Sequence, residues 1–381
     1  MIRDMRIDIF YGPSDEFEEL AGREGSTSIL QLVQEQDAKR NLVTVRSQGS
    51  EPEDDEPKTR PPLVYANTSD FSRLTESVIT GVVRLIEELN PLRLVLQNPP
   101  QSIAIDVKRA FNEVSIHKSE SEPLSVNHLV RLNQEFDQMI LGQEAAKREL
   151  LSAVYPLTRS RQTTPIAVML YGPSGVGKTE TAKLLSQVLG GTLMRKQFSM
   201  LHSQKYSSYV FGGDHDEASL ARDLLEHGRG VVLFDEFDKA NPMFHSAFYE
   251  LFDEGVLEDK NFRAEIGASI IICTSNYRSR NDIEKELGDA LASRFSAMIE
   301  YRALSKAILS TLAFQAVDKY VDALDSDERA LIDKAKVNES VQKTLQGGIN
   351  LRTLKSAIEN YVNRKLVDAA LSTEASSTAT T

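Results

Sequence analysis

Residues 172–179 read GPSGVGKT, and this stretch decides the fold because it fits the pattern G-x-x-x-x-G-K-[ST]. An apolar run at 166–170 leads into it, and a helical pattern starts at Lys178. Glycines let backbone N–H groups converge on phosphate oxygens without Cβ clashes, and the start of a helix attracts negative charge. Lys178 would reach the β- and γ-phosphates of a nucleotide, and Thr179 would hold Mg²⁺ through its hydroxyl. The other predicted nucleotide contacts here are Gly172, Pro173, Ser174, Gly175, Val176, Gly177 and Glu180.

A second stretch, VVLFDE at 231–236, supplies the other half of the predicted site. Its apolar residues predict a buried strand that ends in two carboxylates. Asp235 is the candidate Mg²⁺ partner, and Glu236 is the candidate base that polarises an attacking water. An apolar run ending in Asp-Glu is common by itself. Its place one strand along from a phosphate loop favours the functional interpretation.

The first block of the chain, at 1–122, carries no motif with obvious chemistry. Alternating Met5, Ile7 and Ile9 predict a half-buried strand, and a helical pattern covers 71–89. Further strands are predicted at 42–45, 63–66 and 92–96. The acidic stretch at 49–60, which contains EPEDDEP, predicts a solvated linker or loop. The block is therefore predicted to be a small α/β domain.

The block at 123–302 opens with helical patterns and then changes to continuous apolar runs separated by helices. Runs of this kind, at 166–170, 231–234 and 270–273, are typical of a parallel sheet covered by helices on both faces. Residues 303–371 are predicted to be helical throughout. The last residues, 372–381, are rich in Ser, Thr and Ala, and are predicted to be disordered.

The amino-acid composition limits the classes of protein to which the chain can belong. The chain has 381 residues, of which 41% are hydrophobic and 26% are charged, as in ordinary globular proteins. The opening residues do not resemble a signal peptide, and no apolar run is long enough to cross a membrane. The lone Cys273 excludes an internal disulfide, so a cytoplasmic protein is predicted. The net charge of −12 argues against non-specific binding of nucleic acid.

From residue 140 to about 362 the chain resembles the C-terminal-type ATPase module of the Clp unfoldases and disaggregases, which belong to the AAA+ family. Torsin-like relatives are also similar. The matching segments occur in order. They are ILGQEA at 140–145, GPSGVGKTE at 172–180, LFDEFDKANP at 233–242, TSN at 274–276, ASRF at 292–295 and GINLRTLK at 348–355.

This resemblance implies roles for further residues. Leu141 would lie near the adenine, and Asn276 would orient the attacking water. Arg294 would be an arginine finger, and Arg352 would contact the γ-phosphate from a helical lid. Each has a plainer interpretation: Asn276 as a turn cap, Arg294 as a surface ion-pair residue, and Arg352 as a solvated helix residue.

The resemblance also implies an architecture and an activity. The expected fold is an AAA+ P-loop domain with a parallel sheet and a C-terminal helical lid. The expected activity is Mg²⁺-dependent hydrolysis of ATP in a homo-oligomeric ring, most often a hexamer, with a nucleotide at each interface. The N-terminal domain would select a protein partner.

The segment at 206–217 departs from the family pattern. Threading rings carry an aromatic pore loop here, whereas this chain continues with the polar sequence Asp214-His215-Asp216. Tyr209 or Phe211 could replace the missing aromatic, which would grip a substrate through apolar contact. A metal site at His215 is the weaker interpretation, because these side chains alone cannot complete a coordination shell.

Different functions remain open from the sequence. The leading hypothesis is a Clp-like ATPase that remodels or regulates partner proteins. The second is an ATP-gated scaffold or switch with little turnover and no threading. The third is a DNA-linked AAA+ protein, against which the negative charge argues.

Overall fold

The structure is a computed structural model. It describes residues 5–22, 25–43, 60–119, 123–200, 205–345 and 351–378. Most of the predicted acidic loop at 49–60 lies outside these ranges, and so do residues 348–350 of the predicted lid segment.

The N-terminal block is an α/β domain, as predicted. Its elements are β1 (Arg6–Tyr11), α1 (Ser14–Ala21), β2 (Ser26–Ser28), α2 (Ile29–Val43), β3 (Leu63–Ala66), α3 (Thr68–Phe71), α4 (Glu76–Thr80), α5 (Val82–Leu89), β4 (Arg93–Gln97), α6 (Gln101–Ala110) and β5 (Val114–Lys118). The strands form one parallel sheet in the order β2-β3-β4-β1-β5.

The centre of this sheet is β1, which pairs with β4 on one side and β5 on the other. Ile7 and Ile9 are fully buried, and so is Asp8 between them, because helices cover both faces. Arg93 Nε lies 2.7 Å from Asp8 Oδ2, and His117 Nε2 lies 3.1 Å from Asp8 Oδ1. Burial alone would raise the pKa of Asp8, but hydrogen bonds from Arg93 and His117 hold it below its ordinary value.

Some predictions for this block were wrong in detail. The predicted strand at 42–45 overlaps the end of α2, which runs to Val43. A short apolar pair cannot distinguish a helix end from a strand by its pattern. The predicted continuous helix at 71–89 is broken, since α4 ends at Thr80 and α5 starts after Gly81.

The middle block contains α7 (Val126–Met139), α8 (Glu144–Val154), β6 (Ile166–Tyr171), α9 (Lys178–Leu189), β7 (Leu193–Gln197), α10 (Lys205–Phe211), α11 (Leu220–His227), β8 (Val231–Asp235), α12 (Ala247–Asp253), β9 (Val256–Glu258), β10 (Arg263–Glu265), β11 (Ile270–Ser275), α13 (Arg280–Leu287), α14 (Asp289–Ala292) and β12 (Ala297–Glu300). Its main sheet is parallel, with the order β12-β6-β11-β8-β7. The apolar runs form β6, β8 and β11, as the sequence predicts.

The strand order decides where the site lies. β6, β11 and β8 are neighbours, and all point the same way. Their carboxyl ends therefore deliver Gly172, Asn276 and Glu236 to one edge of the sheet. α9 stops at Gly190, which adopts a left-handed conformation at φ 74°.

The third block is the predicted helical lid, with α15 (Lys306–Asp322), α16 (Ser326–Ala330), α17 (Lys334–Leu345) and α18 (Leu351–Thr378). Val317, Val341 and Leu354 belong to its separate buried core. α18 continues past Ser372, where the sequence predicts a disordered tail. Extending an existing helix is favourable for an Ala-containing segment, and the prediction overlooked this. Among the described residues, no helix has the length and apolar character needed to cross a bilayer.

The N-terminal domain packs on the middle block through specific polar contacts. Lys118 Nζ lies 2.5 Å from Glu265 Oε2 on β10. The backbone N–H of Gln101 donates to the carbonyl of Asn261 at 2.7 Å. A ring nitrogen of His215 lies 2.8 Å from the carbonyl oxygen of Leu74. The polar segment after α10 therefore contacts the N-terminal domain.

Candidate functional site: a phosphate loop at a sheet edge

The phosphate loop connects β6 to α9 and depends on glycines. Gly172 has φ 132°, and a Cβ built on it would lie 2.1 Å from the carbonyl oxygen of Tyr301. Gly177 has φ 108°, and its Cβ would lie 3.0 Å from Ile140 Cγ2. Both glycines are therefore required by the fold itself, in addition to any phosphate they admit.

The side chain of Lys178 is buried at the centre of this loop, with 8% of the residue exposed. Its Nζ donates to the carbonyls of Gly172 and Pro173, each at 2.7 Å, and lies 3.4 Å from Asn276 Oδ1. Burial lowers the pKa of Lys178 to about 8, although Asp238 and Asp235 act in the opposite direction. A phosphate beside Nζ would supply the negative charge that favours the protonated form.

Asp235 ends β8 beside the first turn of α9. Thr179 donates to Asp235 Oδ1 at 3.4 Å, and Thr274 donates to the same oxygen at 2.5 Å. Arg195 on β7 forms an ion pair with Asp235 Oδ2. The hydroxyl of Thr179 and the carboxylate of Asp235 are the hard oxygen ligands that Mg²⁺ prefers, so these residues fit the predicted metal.

Glu236 has an unusual backbone for a residue with a side chain, at φ 56° and ψ 44°. Its N–H donates to Thr274 Oγ1 at 3.0 Å, and Gln197 Nε2 donates to Glu236 Oε2 at 3.3 Å. A left-handed conformation costs on the order of 1–3 kcal/mol and persists where neighbouring groups enforce it. Thr274 therefore links Asp235 to Glu236, because its hydroxyl donates to one and accepts from the other.

Sequence reasoning missed three polar residues of this cluster: Arg195, Gln197 and Thr274. Thr274 lies inside the TSN segment, where only Asn276 was assigned a role. Arg195 and Gln197 lie on β7, whose charged pattern gives no strand signal. Their contacts arise from the pairing of β7 with β8, which sequence spacing does not reveal.

Asn276 lies within the site, since its Oδ1 faces Lys178 Nζ. It follows β11 directly, and no turn-capping hydrogen bond from its side chain occurs among the described residues. The structure thus brings together Lys178, Thr179, Asp235, Glu236 and Asn276. All five were selected from the sequence.

The helical lid contacts the phosphate loop at the start of α18. A Cβ built on Gly175 would lie 3.8 Å from the backbone nitrogen of Arg352. The side chain of Arg352 is exposed, so its predicted contact with the γ-phosphate stays a prediction. The start of α18 lies against the phosphate loop at Gly175.

The segment predicted to lie near the adenine packs between the phosphate loop and the lid. Gln143 is 3% exposed, and its amide donates to the carbonyls of Arg302 at 2.8 Å and Val176 at 3.4 Å. Its Oε1 accepts from the N–H of Arg302 at 3.1 Å. A Cβ on the neighbouring Gly142 would lie 2.4 Å from Ile308 Cδ1 on α15. Leu141 is half-buried in this same segment.

Arg294 lies at the opposite edge of the sheet from the phosphate loop. Nearby Ser296 donates its N–H to the carbonyl of Ala167, at the beginning of β6. The loop begins five residues further along that strand, about 16 Å away. Arg294 Nε lies 2.8 Å from Asp253 Oδ2, and its guanidinium lies 4.3 Å from the ring centroid of Tyr249. The structure therefore does not bring Arg294 into the site of its own chain.

The segment that replaces a pore loop is held by side-chain contacts. Tyr209 donates to Asp223 Oδ2 at 2.6 Å, and burial together with Asp223 raises the pKa of Tyr209. The ring of Phe211 is 40% exposed and lies 5.6 Å from that of Phe244. Tyr209 is thus tied to α11, whereas Phe211 is partly accessible.

Comparisons with known proteins agree with this geometry. Residues 164–347 match the family model described as AAA domain (Cdc48 subfamily). ClpL, an ATP-dependent Clp protease ATP-binding subunit of Staphylococcus aureus (strain bovine RF122 / ET3-1), is 26% identical over 294 residues. That alignment covers 66% of this chain and 39% of ClpL. ClpE of Bacillus subtilis (strain 168) is 27% identical over 281 residues, covering 63% of this chain and 39% of ClpE.

Solved structures show the same fold. The S. cerevisiae Hsp104–ADP complex aligns with a TM-score of 0.52 and 19% identity, covering 78% of this chain and 56% of Hsp104. A closed state of Hsp104 with ATPγS and FITC casein aligns with a TM-score of 0.53 and 13% identity. That alignment covers 96% of this chain and 89% of the Hsp104 chain. The chain spans well under half the length of the curated relatives named above. The ordered motifs, the parallel sheet with its helical lid and these similarities support a Clp-type AAA+ ATPase module in this chain.

Proposed function

We propose that this chain is a Mg²⁺-dependent ATPase that works as a homo-oligomeric ring, most simply a hexamer, and remodels or regulates partner proteins. The observation that carries the proposal is the meeting of Lys178, Asp235, Glu236 and Asn276 at the carboxyl edge of one parallel sheet. A purely structural role for these residues would not explain a buried lysine that points into a glycine loop beside two carboxylates.

The loop binds the nucleotide through charge and shape. Backbone N–H groups of the glycine-rich turn and the start of α9 would surround the phosphates. Lys178 would exchange its bonds to the carbonyls of Gly172 and Pro173 for phosphate oxygens. Mg²⁺, held by Thr179 and Asp235, would neutralise charge on the β- and γ-phosphates.

Glu236 would accept the proton of the attacking water. Thr274 fixes its backbone and Gln197 contacts its carboxylate, so its position is defined before the nucleotide arrives. Asn276, at the adjacent strand end, would orient the same water. These groups act by positioning and electrostatics, which dominate phosphoryl transfer.

Arg294 would complete the site of a neighbouring subunit. It lies far from the phosphate loop of its own chain, and a guanidinium can stabilise charge on a γ-phosphate. Asp253 and Tyr249 hold it at the surface in the single chain. Assembly would then be needed for turnover, which supports the ring. The N-terminal domain, lacking this machinery, would select the protein partner.

A second candidate function is an ATP-gated switch that does not thread its partner. Two observations favour it: Tyr209 is bonded to Asp223, and His215 contacts the N-terminal domain at Leu74. A loop held in this way is a poor gripping element, because it cannot follow a moving substrate.

Glu236→Gln tests the proposed function directly. The substitution keeps the shape of the side chain but removes its basicity, so the variant should bind ATP, assemble and fail to hydrolyse it. Glu254→Gln is a matched control, since Glu254 is exposed after α12 and should leave turnover unchanged. The measurement is phosphate release over a range of protein concentrations with Mg²⁺ and with EDTA. Equal turnover in wild type and Glu236→Gln would refute the proposed ATPase activity.

Unfolding of a tagged reporter protein distinguishes the two candidates. Threading predicts ATP-dependent unfolding that is lost in Phe211→Ala, while phosphate release persists. The switch predicts phosphate release or ATP-dependent partner binding with no reporter unfolding in any variant. Capture of partners by the Glu236→Gln protein would then identify what the N-terminal domain selects.

A further inference from the structure

A cavity of about 270 Å³ lies between the N-terminal domain and the middle block. The carboxyl ends of β1, β4 and β5 supply one wall, through Gly12, Pro99 and Ser119. The middle block supplies the other wall, through α11, Arg229 and β10. The cavity therefore lies at the carboxyl end of the N-terminal sheet.

The topology of that sheet marks the same position. The chain leaves β1 toward β2 at one edge, whereas it leaves β4 in the opposite direction, toward β5. β1 and β4 are adjacent, and the helices that follow them, α1 and α6, pack on opposite faces of the sheet, which opens a crevice outside the carboxyl ends of these strands. Open parallel α/β sheets bind ligands at this kind of switch point. Sites of this sort are also common at domain interfaces.

Positive charge dominates the lining. Lys108, Lys118, Arg229 and Arg263 line the cavity, against the single carboxylate of Glu265. Glu265 already pairs with Lys118 at 2.5 Å and with Arg263 at 3.3 Å. Within the described residues, Lys108 and Arg229 form no ion pair. This excess of positive charge occurs in a chain whose net charge is −12.

The cavity also has an apolar side. Ile105 and Ile116 line it and are 44% and 49% exposed, which is high for isoleucine. Leu224 of α11 faces the same space. A ligand that satisfied both sides would carry an anionic group and a compact apolar or aromatic part.

The neighbouring part of the crevice already holds an anion from the other domain. Glu226 of α11 accepts a hydrogen bond from Ser14 at 2.9 Å and from Asn98 at 3.4 Å. Asn98 is fully buried at the end of β4 and also donates to the carbonyl of Gly12. The strand ends of the N-terminal domain thus present donors that a carboxylate occupies in this structure.

We propose that this cavity binds a small phosphate-bearing molecule with a compact apolar group, held between Lys108 of the N-terminal domain and Arg229 of the ATPase module. One residue separates Arg229 from β8, which ends at Asp235 and is followed directly by Glu236. A ligand bridging Lys108 and Arg229 would fix the N-terminal domain against the strand that carries the hydrolytic residues. The site is independent of the proposed ATPase and could exist without it.

The test uses the full chain saturated with ADP and Mg²⁺, so that the phosphate loop is filled, and titrates phenyl phosphate by calorimetry. A ligand of this size should bind saturably in roughly the millimolar range. Lys108→Glu and Arg229→Ala should each weaken binding by about tenfold or more, since each removes a charge-assisted contact. Arg109→Glu is the matched control: Arg109 is exposed on the same turn of α6 but does not line the cavity, and should change binding little.

Further titrations show whether a binding signal comes from this cavity. Phenol, which lacks the phosphate, should not bind, and Lys178→Ala should bind phenyl phosphate as wild type does. Thermal unfolding of each variant checks that it is folded. The proposal is overturned by a lack of saturation in wild type, by equal weakening in Arg109→Glu, or by loss of binding in Lys178→Ala.

Discussion

The affinity for nucleotide should fall as the pH rises through the pKa of Lys178. Burial lowers that pKa to about 8. A bound phosphate would favour the ammonium form and return the pKa toward its ordinary value near 10.5. The bound site therefore keeps a proton that the empty site loses above pH 8, and binding weakens over that interval.

The size of the effect follows from the fraction of empty sites with a protonated Lys178. With a pKa of about 8, this fraction is about 0.9 at pH 7 and about 0.1 at pH 9, so the Kd for ADP should rise about tenfold. The stability of the empty fold has the opposite trend. Because the unfolded chain keeps the proton up to about pH 10.5, this group increases stability as pH rises from about 8 to 10.5.

Calorimetric titration of ADP with Mg²⁺ at several pH values between 7 and 9 measures this directly. Proton uptake on binding should increase across the interval, and buffers with different ionisation enthalpies report it. Lys178→Met should bind more weakly with little dependence on pH, whereas Lys183→Met, an exposed position on the same helix, should keep the tenfold change. A constant Kd in wild type from pH 7 to 9 would refute the reasoning about burial.

Three further outcomes follow from the geometry. Gly172→Ala should destabilise the protein by about 3 kcal/mol or more, measured by denaturant unfolding, because the new Cβ meets a backbone oxygen that cannot move aside; a loss below about 1 kcal/mol would contradict this. Thr274→Val should reduce kcat by roughly 5- to 150-fold with little change in ADP affinity, since it leaves Asp235 and Glu236 without their shared hydroxyl, and Thr274→Ser should restore most of the activity. Arg294→Ala should preserve ADP binding and reduce turnover by about 10³-fold or more in a phosphate-release assay, and full activity would disprove the arginine-finger role.

The fold of the ATPase module was largely predictable because its strongest signals are local. A glycine loop between a buried strand and a helix has few alternative structures, and each apolar run became a strand of the predicted sheet. The same locality explains the selection of Lys178, Asp235, Glu236 and Asn276. Lys178 starts the helix after the glycine loop, and the other three lie at or directly after strand ends that the sequence marks.

The contacts that could not be predicted from the sequence depend on which strands become neighbours in the sheet. Gln197 reaches Glu236 only because β7 pairs with β8, and the end of β7 is a run of consecutive polar residues that lacks the alternation typical of a strand. Gln143 connects the phosphate loop to Arg302 across a sequence separation that no spacing rule spans. The left-handed backbone of Glu236 gives no sign in the sequence, since only glycine and asparagine suggest that conformation. Helix ends were uncertain for a different reason, because short apolar pairs such as those near Val43 fit either structure.

The separation of Arg294 from the phosphate loop bears on how the proposed ATPase would be controlled. β6 begins beside Ser296 and ends at the loop, so a single strand sets the distance between the two groups within one chain. A packed parallel sheet does not shorten, and no loop movement near Arg294 can therefore bring it to its own nucleotide. If hydrolysis needs this guanidinium, it must come from another copy, and turnover should rise more steeply than in proportion to protein concentration until assembly is complete. Turnover could instead stay proportional to protein concentration down to the lowest concentrations while Arg294→Ala is fully inactive. That result would require a ring that never dissociates under the assay conditions.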